Sequence, residues 1–130
     1  RKTTAASRVI ASRLPRWKLP PSTAEVTRIR LLGRQGACQG FEVSGHAGAG
    51  DEGNDLVCAA ISFLATTCVN ALETVAGTKP GLSLAEGYLK AVLPAPPNDR
   101  AMTILKTFSQ GAKDLAQTYP GYVTFLDETI

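Results

Sequence analysis

The only histidine in this chain, His46, stands twelve positions before Cys58, one of three cysteines. A thiol within reach of an imidazole is a nucleophile beside its base: the thiolate attacks an electrophilic carbon and the imidazole takes the proton. Between the two run Ala47 to Val57, mostly small and acidic residues. Asn54 and Asp55 are suitable helix N-caps, and from Val57 the apolar residues take helical spacing. That pattern predicts Cys58 in the first turn of a long helix, where unpaired N–H groups and the macrodipole favour a thiolate. His46 then lies on the glycine-rich loop before the helix. Together the residues read as a Cys–His nucleophilic site. Taken singly, His46 is also a loop histidine with no task, and Cys58 a small buried hydrophobe.

Such a pair needs elements to hold it. Glu25–Leu32 alternates as a strand, with Val26, Arg28 and Arg30 opposite Ile29 and Leu31. Gly33 to Gly36 reads as a turn, and Cys38–Ser44 returns as the second hairpin strand, Phe41 and Val43 on one face. Cys38 reads there as a small strand residue rather than a ligand. The predicted helix runs from Asp55 to Val75, about 30 Å at 1.5 Å per residue. Its apolar stripe is Val57, Ile61, Leu64, Cys68, Ala71, Leu72 and Val75. Cys68 is on the stripe and reads as core, whereas Cys58 lies about 100° round from Val57, at its edge. Gly77 and Pro80 end the helix. Leu82–Ala85 and Tyr88–Leu93 form a second hairpin around Glu86 and Gly87. Asn98 or Asp99 then caps a second helix carrying Met102, Leu105, Phe108, Ala112, Leu115 and Tyr119 on one side. Tyr122–Leu126 is a last strand. The order β-β-α-β-β-α-β predicts an α+β domain, with two amphipathic helices packed on a largely antiparallel sheet.

Length and composition agree with one domain. The 130 residues are 44% apolar, enough for a core and too much for a disordered chain. No uninterrupted apolar run reaches the roughly 18–20 residues that cross a bilayer, so no membrane partner is expected. Three cysteines without a framework spacing suit free thiols in a reducing compartment. The net charge of +3 divides unevenly. Residues 1–24 carry six of the fourteen basic side chains and no acid, leaving eight basic against eleven acidic in the rest. The acidic domain does not suggest a nucleic-acid surface, whereas the arm could seek phosphates. Residues 1–26 read as a basic N-terminal arm with the composition of an organellar presequence remnant, or as an unstructured leader. A presequence would place the protein in a mitochondrion or plastid; without it, a bacterial cytoplasm is expected.

Two other chemistries are weighed on the central stretch. Gly48-Ala49-Gly50-Asp51-Glu52-Gly53 matches the dinucleotide fingerprint G-x-G-x-x-G. Asp51 and Glu52 would however face a pyrophosphate, and Glu73 falls inside a helix instead of ending a second parallel strand. A metal site would draw on His46, Asp51, Asp55 and Cys58, without the paired cysteines or histidines of structural zinc. The reading therefore assigns neither metal nor cofactor.

Gly40-Phe41-Glu42-Val43-Ser44-Gly45-His46-Ala47-Gly48, then Gly53, Asp55-Leu56-Val57-Cys58-Ala59-Ala60 and Ser62, strongly resemble the ribosomal-processing cysteine protease family, Prp. The likeness continues through Asn70-Ala71-Leu72-Glu73 to Tyr119-Pro120, covering about residues 27–128 and leaving the arm outside it. The domain is accordingly set at residues 27–130. The resemblance implies a small endopeptidase that removes an N-terminal extension from a protein of the large ribosomal subunit, and a homodimer. It implies Cys58 as nucleophile, His46 as general base and Asp55 as an acid beside the site. Residues 47–54, with Gly48, Gly50 and Gly53, match a mobile segment that substrate orders.

On that reading Cys58 attacks the scissile carbonyl, His46 returns the proton to the leaving amine, and N–H groups at the helix start, that of Cys58 included, hold the oxyanion. Asp55 has two readings, a helix cap or first-turn acid worth about 1 kcal/mol or an orienter of the imidazole. The cap is favoured, because a carboxylate three residues before the thiol also opposes thiolate formation. A rival of another class remains: a Prp-like structural component or assembly factor of an organellar ribosome, bound to rRNA through residues 1–24. Keeping both His46 and Cys58 favours the peptidase.

Overall fold

A computed structural model of the chain describes residues 26–45 and 52–129, and of residues 52–55 the backbone alone. The basic arm up to residue 25 lies outside them. Five strands and two helices follow in the expected order: β1 (Thr27–Arg34), β2 (Ala37–Ser44), α1 (Glu52–Thr74), β3 (Gly81–Ala85), β4 (Tyr88–Val92), α2 (Asp99–Thr118) and β5 (Val123–Glu128).

The first hairpin runs further toward its turn than the alternation suggests. Gln35 and Gly36 make that turn with φ of 53° and 79°, the paired left-handed conformation that matches strand twist. A register shift between Leu32 and Gly33 lets pairing resume at Gly33 and Arg34. A Cβ on Gly33 would lie 1.9 Å from the Ala37 carbonyl oxygen, so glycine is required there.

The sheet order is β3-β4-β2-β1-β5. Pairing is antiparallel except between β1 and β5, which run parallel. Helix α1 carries the chain over so that the second hairpin joins at β2, and α2 returns it so that β5 joins β1. Thr27, Ile29 and Leu31 on β1 and Phe41 and Val43 on β2 are buried on one face, which both helices cover. Val57, Ile61, Ala65, Cys68 and Leu72 of α1 and Ala101, Leu105, Phe108 and Ala112 of α2 complete the core. The Phe41 and Phe108 rings stack at 3.7 Å between centroids. Gly111 lets the helices meet, since a Cβ there would lie 2.9 Å from the Leu64 side chain.

One predicted stripe residue is misplaced. Val75 is exposed and Ala76 buried in its stead, because α1 ends at Thr74 and the chain turns before Val75 can point inward. Gly77 takes φ of 70° and Thr78 N–H donates to the Leu72 carbonyl at 2.8 Å, so the glycine stop forms as expected. Of the two cap candidates for α2, Asn98 is the cap: its Oδ1 accepts from Ala101 N–H at 2.8 Å. Its Nδ2 donates to the Ala76 carbonyl at 3.0 Å, tying the end of α1 to the start of α2. From Leu56 onward α1 is long and apolar enough by composition to cross a bilayer. Its inner stripe is instead spent on the sheet.

Candidate active site

Cys58 is buried, 6% exposed, on the side of α1 that also carries Ile61, Ser62 and Ala65. The helix starts at Glu52, three residues before the expected Asp55. Acidic residues at a helix start are stabilised by the macrodipole, and Gly53 weakens that turn by only about 1 kcal/mol. This changes three expectations. Asn54 and Asp55 are helical residues and cannot be N-caps. Gly53 belongs to the first turn of α1 and not to a flexible loop. Cys58 lies in the second turn, where a helix commits its N–H to the carbonyl four residues back. The unpaired N–H groups are those of the first four helical residues. The Cys58 side chain leans back over that turn, because Cα–Cβ bonds tilt toward a helix N-terminus.

The other two thiols are poor nucleophiles. Burial pushes the Cys38 thiol up, and its Sγ–H donates to the Gly40 carbonyl at 3.3 Å. Burial likewise raises Cys68. The three cysteines form no disulfide.

His46, Gly48, Gly50 and Asp51 lie outside the described residues, as does the side chain of Asp55. What the structure does place is the strand end from which His46 departs. Gly45 adopts φ of 81°, and a Cβ there would lie 2.6 Å from the Val26 carbonyl oxygen. Its N–H donates to the Gly87 carbonyl at 3.1 Å. The residue before His46 is thus clamped between β1 and the β3–β4 turn.

Between that turn and α1 is an open groove of about 170 Å³, walled by Ile61, Ser62, Ala65 and Thr66 and floored by Val43, Leu84 and Leu89. Its helical wall begins one turn after Cys58. The sequence offers little warning of it. Leu82 and Leu84 alternate like core residues, yet they stand 48% and 68% exposed on the edge strand β3. A strand placed one position beyond the reach of the helices keeps its apolar face in water, and strand order decides that.

The opposite face of the sheet carries charge. Arg30 pairs with Glu42 at 2.6 Å and with Glu128 at 2.6 Å, and Tyr88 Oη donates to Glu42 Oε2 at 2.6 Å. The hydrogen bond to Glu42 and burial hold the Tyr88 phenol above its usual range. Four strands, β5, β1, β2 and β4, are linked this way. Tyr88 also borders the groove.

Three comparisons with known proteins bear on the family and the fold. The chain matches the family described as "Cysteine protease Prp" over residues 26–124. Over 50 residues it is 42% identical to the ribosomal processing cysteine protease Prp of Bacillus subtilis, a match that spans 37% of this chain and 45% of that relative. Among solved structures, SMU.848 of Streptococcus mutans superposes with a TM-score of 0.75 at 30% identity, covering 81% of this chain and 99% of that one. The Staphylococcus aureus Prp bound to a substrate peptide superposes with a TM-score of 0.73 at 20% identity, covering 79% and 100%. The family match spans both the strand that leads to His46 and the helix that carries Cys58, and it is on this ground that the chain belongs to the cysteine protease Prp family.

Proposed function

We propose that this protein is a cysteine endopeptidase that removes an N-terminal extension from a large-subunit ribosomal protein. The observation that carries the reading is the convergence around Cys58. A thiol sits on the core helix, an open groove begins one turn away, and the strand leading to His46 is clamped beside it. The S. aureus relative has been solved with a substrate peptide and with a covalently linked product peptide, which supports a peptide as the ligand. In the proposed reaction His46 takes the Cys58 proton and the thiolate attacks the scissile carbonyl. The unpaired N–H groups of the first turn of α1 receive the oxyanion. The tetrahedral intermediate collapses to an acyl-enzyme as His46 protonates the leaving amine, and water then releases the acid. Asp55, the fourth residue of α1, keeps the role of a first-turn acid that stabilises the helix start.

The test is incubation of the protein, and of Cys58→Ala and His46→Ala, with the precursor of the large-subunit ribosomal protein of its own organism, read by mass spectrometry. Loss of an N-terminal peptide with the native chain and not with either variant is the expected result. The six basic and no acidic residues of positions 1–24 favour one alternative, a non-catalytic ribosomal component. An intact precursor, with the protein co-sedimenting with large subunits through residues 1–24, would establish that instead.

A further inference from the structure

The outward side of α1 is apolar where a surface helix ordinarily carries charge. Leu56 is 46% exposed and Phe63 74%. Seven residues apart, they stand in line on the helix, with exposed Ala59 between them. This side is not the groove side, since Phe63 lies about 100° round the helix from Ser62. Further along the same side the exposed residues are polar, Thr67, Asn70 and Thr74. The apolar patch is therefore confined to the first half of α1. The charge near it is of one sign. Asp51, Glu52 and Asp55 stand at or just before the helix start, and no Lys or Arg occurs between Arg34 and Lys79.

The N-terminal arm of the same chain has the complementary composition. Arg13, Arg16 and Lys18 are interleaved with Leu14, Trp17 and Leu19, and no acid precedes Glu25. The arm also joins the fold at the right end. It leads into β1 through Val26, whose carbonyl lies against Gly45 just past the end of β2. Helix α1 starts at Glu52, a few residues beyond, so its first half covers that same end of the sheet. The seven residues from Leu19 to Val26 reach up to about 25 Å, and a helix with its side chains is about 10–12 Å across. The arm can thus pass round α1 to its outward side. A second copy of the domain is a poorer occupant, because it would bring to these acids another helix without a basic residue. Nucleic acid would satisfy the charges of the arm and leave Leu56 and Phe63 in water.

We propose that residues 13–19 dock on the outward side of α1, Trp17 packing against Leu56 and Phe63 while the basic side chains meet the acids at the helix start. Burial of the large apolar side chains stabilises the contact, and the charges orient it. The docking goes beyond the peptidase reading and does not depend on it.

Trp17 is the only tryptophan in the chain, so its fluorescence reports the arm directly in the intact protein. Its emission is expected to be blue-shifted from that of free tryptophan and protected from acrylamide. Phe63→Asp should lower the ratio of docked to free arm roughly tenfold or more, read as a red shift and a loss of protection. Arg13→Glu combined with Arg16→Glu, which leaves the helix untouched, should act in the same direction. Added salt should loosen the arm of the native protein by screening. Circular dichroism and a cooperative melting transition confirm that each variant is folded, and Phe63→Ala takes the place of Phe63→Asp if the latter does not fold. A native Trp17 as exposed as free tryptophan would overturn the proposal, as would protection that none of these variants disturbs. Protection that rises with protein concentration alongside a dimeric mass would assign the face to a second copy. Protection gained only on adding ribosomal RNA would assign the arm to phosphates. Either result overturns the docking.

Discussion

Gly45 is where a single residue most directly joins the fold to the chemistry. Its φ of 81° belongs to the region that L side chains avoid, and the Val26 carbonyl occupies the space a Cβ would need. Gly45→Ala should therefore destabilise the protein by about 2 kcal/mol, from the left-handed strain and the contact together. It should lower cleavage by more than the loss of folded protein explains, because the displaced strand end carries His46. Urea titration gives the first quantity, and kcat/KM under conditions where the variant is fully folded gives the second. Unchanged kcat/KM in the folded variant would detach Gly45 from the site. The run of glycines around His46 is legible in the sequence as conformational freedom, but its members differ in use. Gly45 needs its positive φ, whereas Gly53 is simply helical. Nothing in either residue's immediate neighbours separates the two, since the difference comes from where β1 passes and where α1 begins.

At the scale of elements, the ends that local chemistry specifies are the ones that sequence periodicity places well. Gly77 ends α1 because only a residue at ease with positive φ lets Thr78 N–H turn back to Leu72. Asn98 begins α2 because its amide oxygen reaches Ala101 N–H. The start of α1 is different. Asn54 and Asp55 look like caps, but acidic residues also suit the first helical turn, and the helix takes the earlier start at Glu52. Propensity alone does not choose between the two, and the choice decides which N–H groups are left for an oxyanion. Asn98 supports a sharper expectation, because it serves both helices. Asn98→Ala removes the cap and the bond to the Ala76 carbonyl, and should destabilise the protein by about 1–2 kcal/mol. Asn98→Asp keeps the cap oxygen but loses the amide donor, so it should recover only part of that loss. Chemical denaturation of the three proteins checks the order. Equal stability of the Ala and Asp variants would mean that the cap contributes little and the link to α1 dominates.

For the whole molecule, what the sequence withholds is which strands lie side by side. Alternation marks β1 to β5 one by one, but pairing β5 parallel to β1 and placing β3 at the edge join residues about 50 to 100 positions apart, beyond any local signal. The same distance hides the charged network, in which Arg30 of β1 meets Glu42 of β2 and Glu128 of β5, and Glu42 meets Tyr88 of β4. Once assembled, that network gives the fold a pH dependence of definite sign. The hydrogen bond from Tyr88 to Glu42, with burial and the Glu42 charge, raises the phenol above its ordinary value of 10.0. The folded protein therefore holds the phenolic proton more tightly than the unfolded chain does. Its stabilising contribution is complete below that ordinary value and is lost as pH rises through the higher folded value. Stability should fall on the alkaline side from about pH 10, and Tyr88→Phe should make that fall shallower while lowering stability at neutral pH. Thermal unfolding of the native and Tyr88→Phe proteins from pH 7 to 11, compared as a difference, separates this residue from the lysines that titrate there. Parallel curves for the two proteins would remove Tyr88 from the alkaline transition and leave its bond to Glu42 as a neutral cross-strand contact.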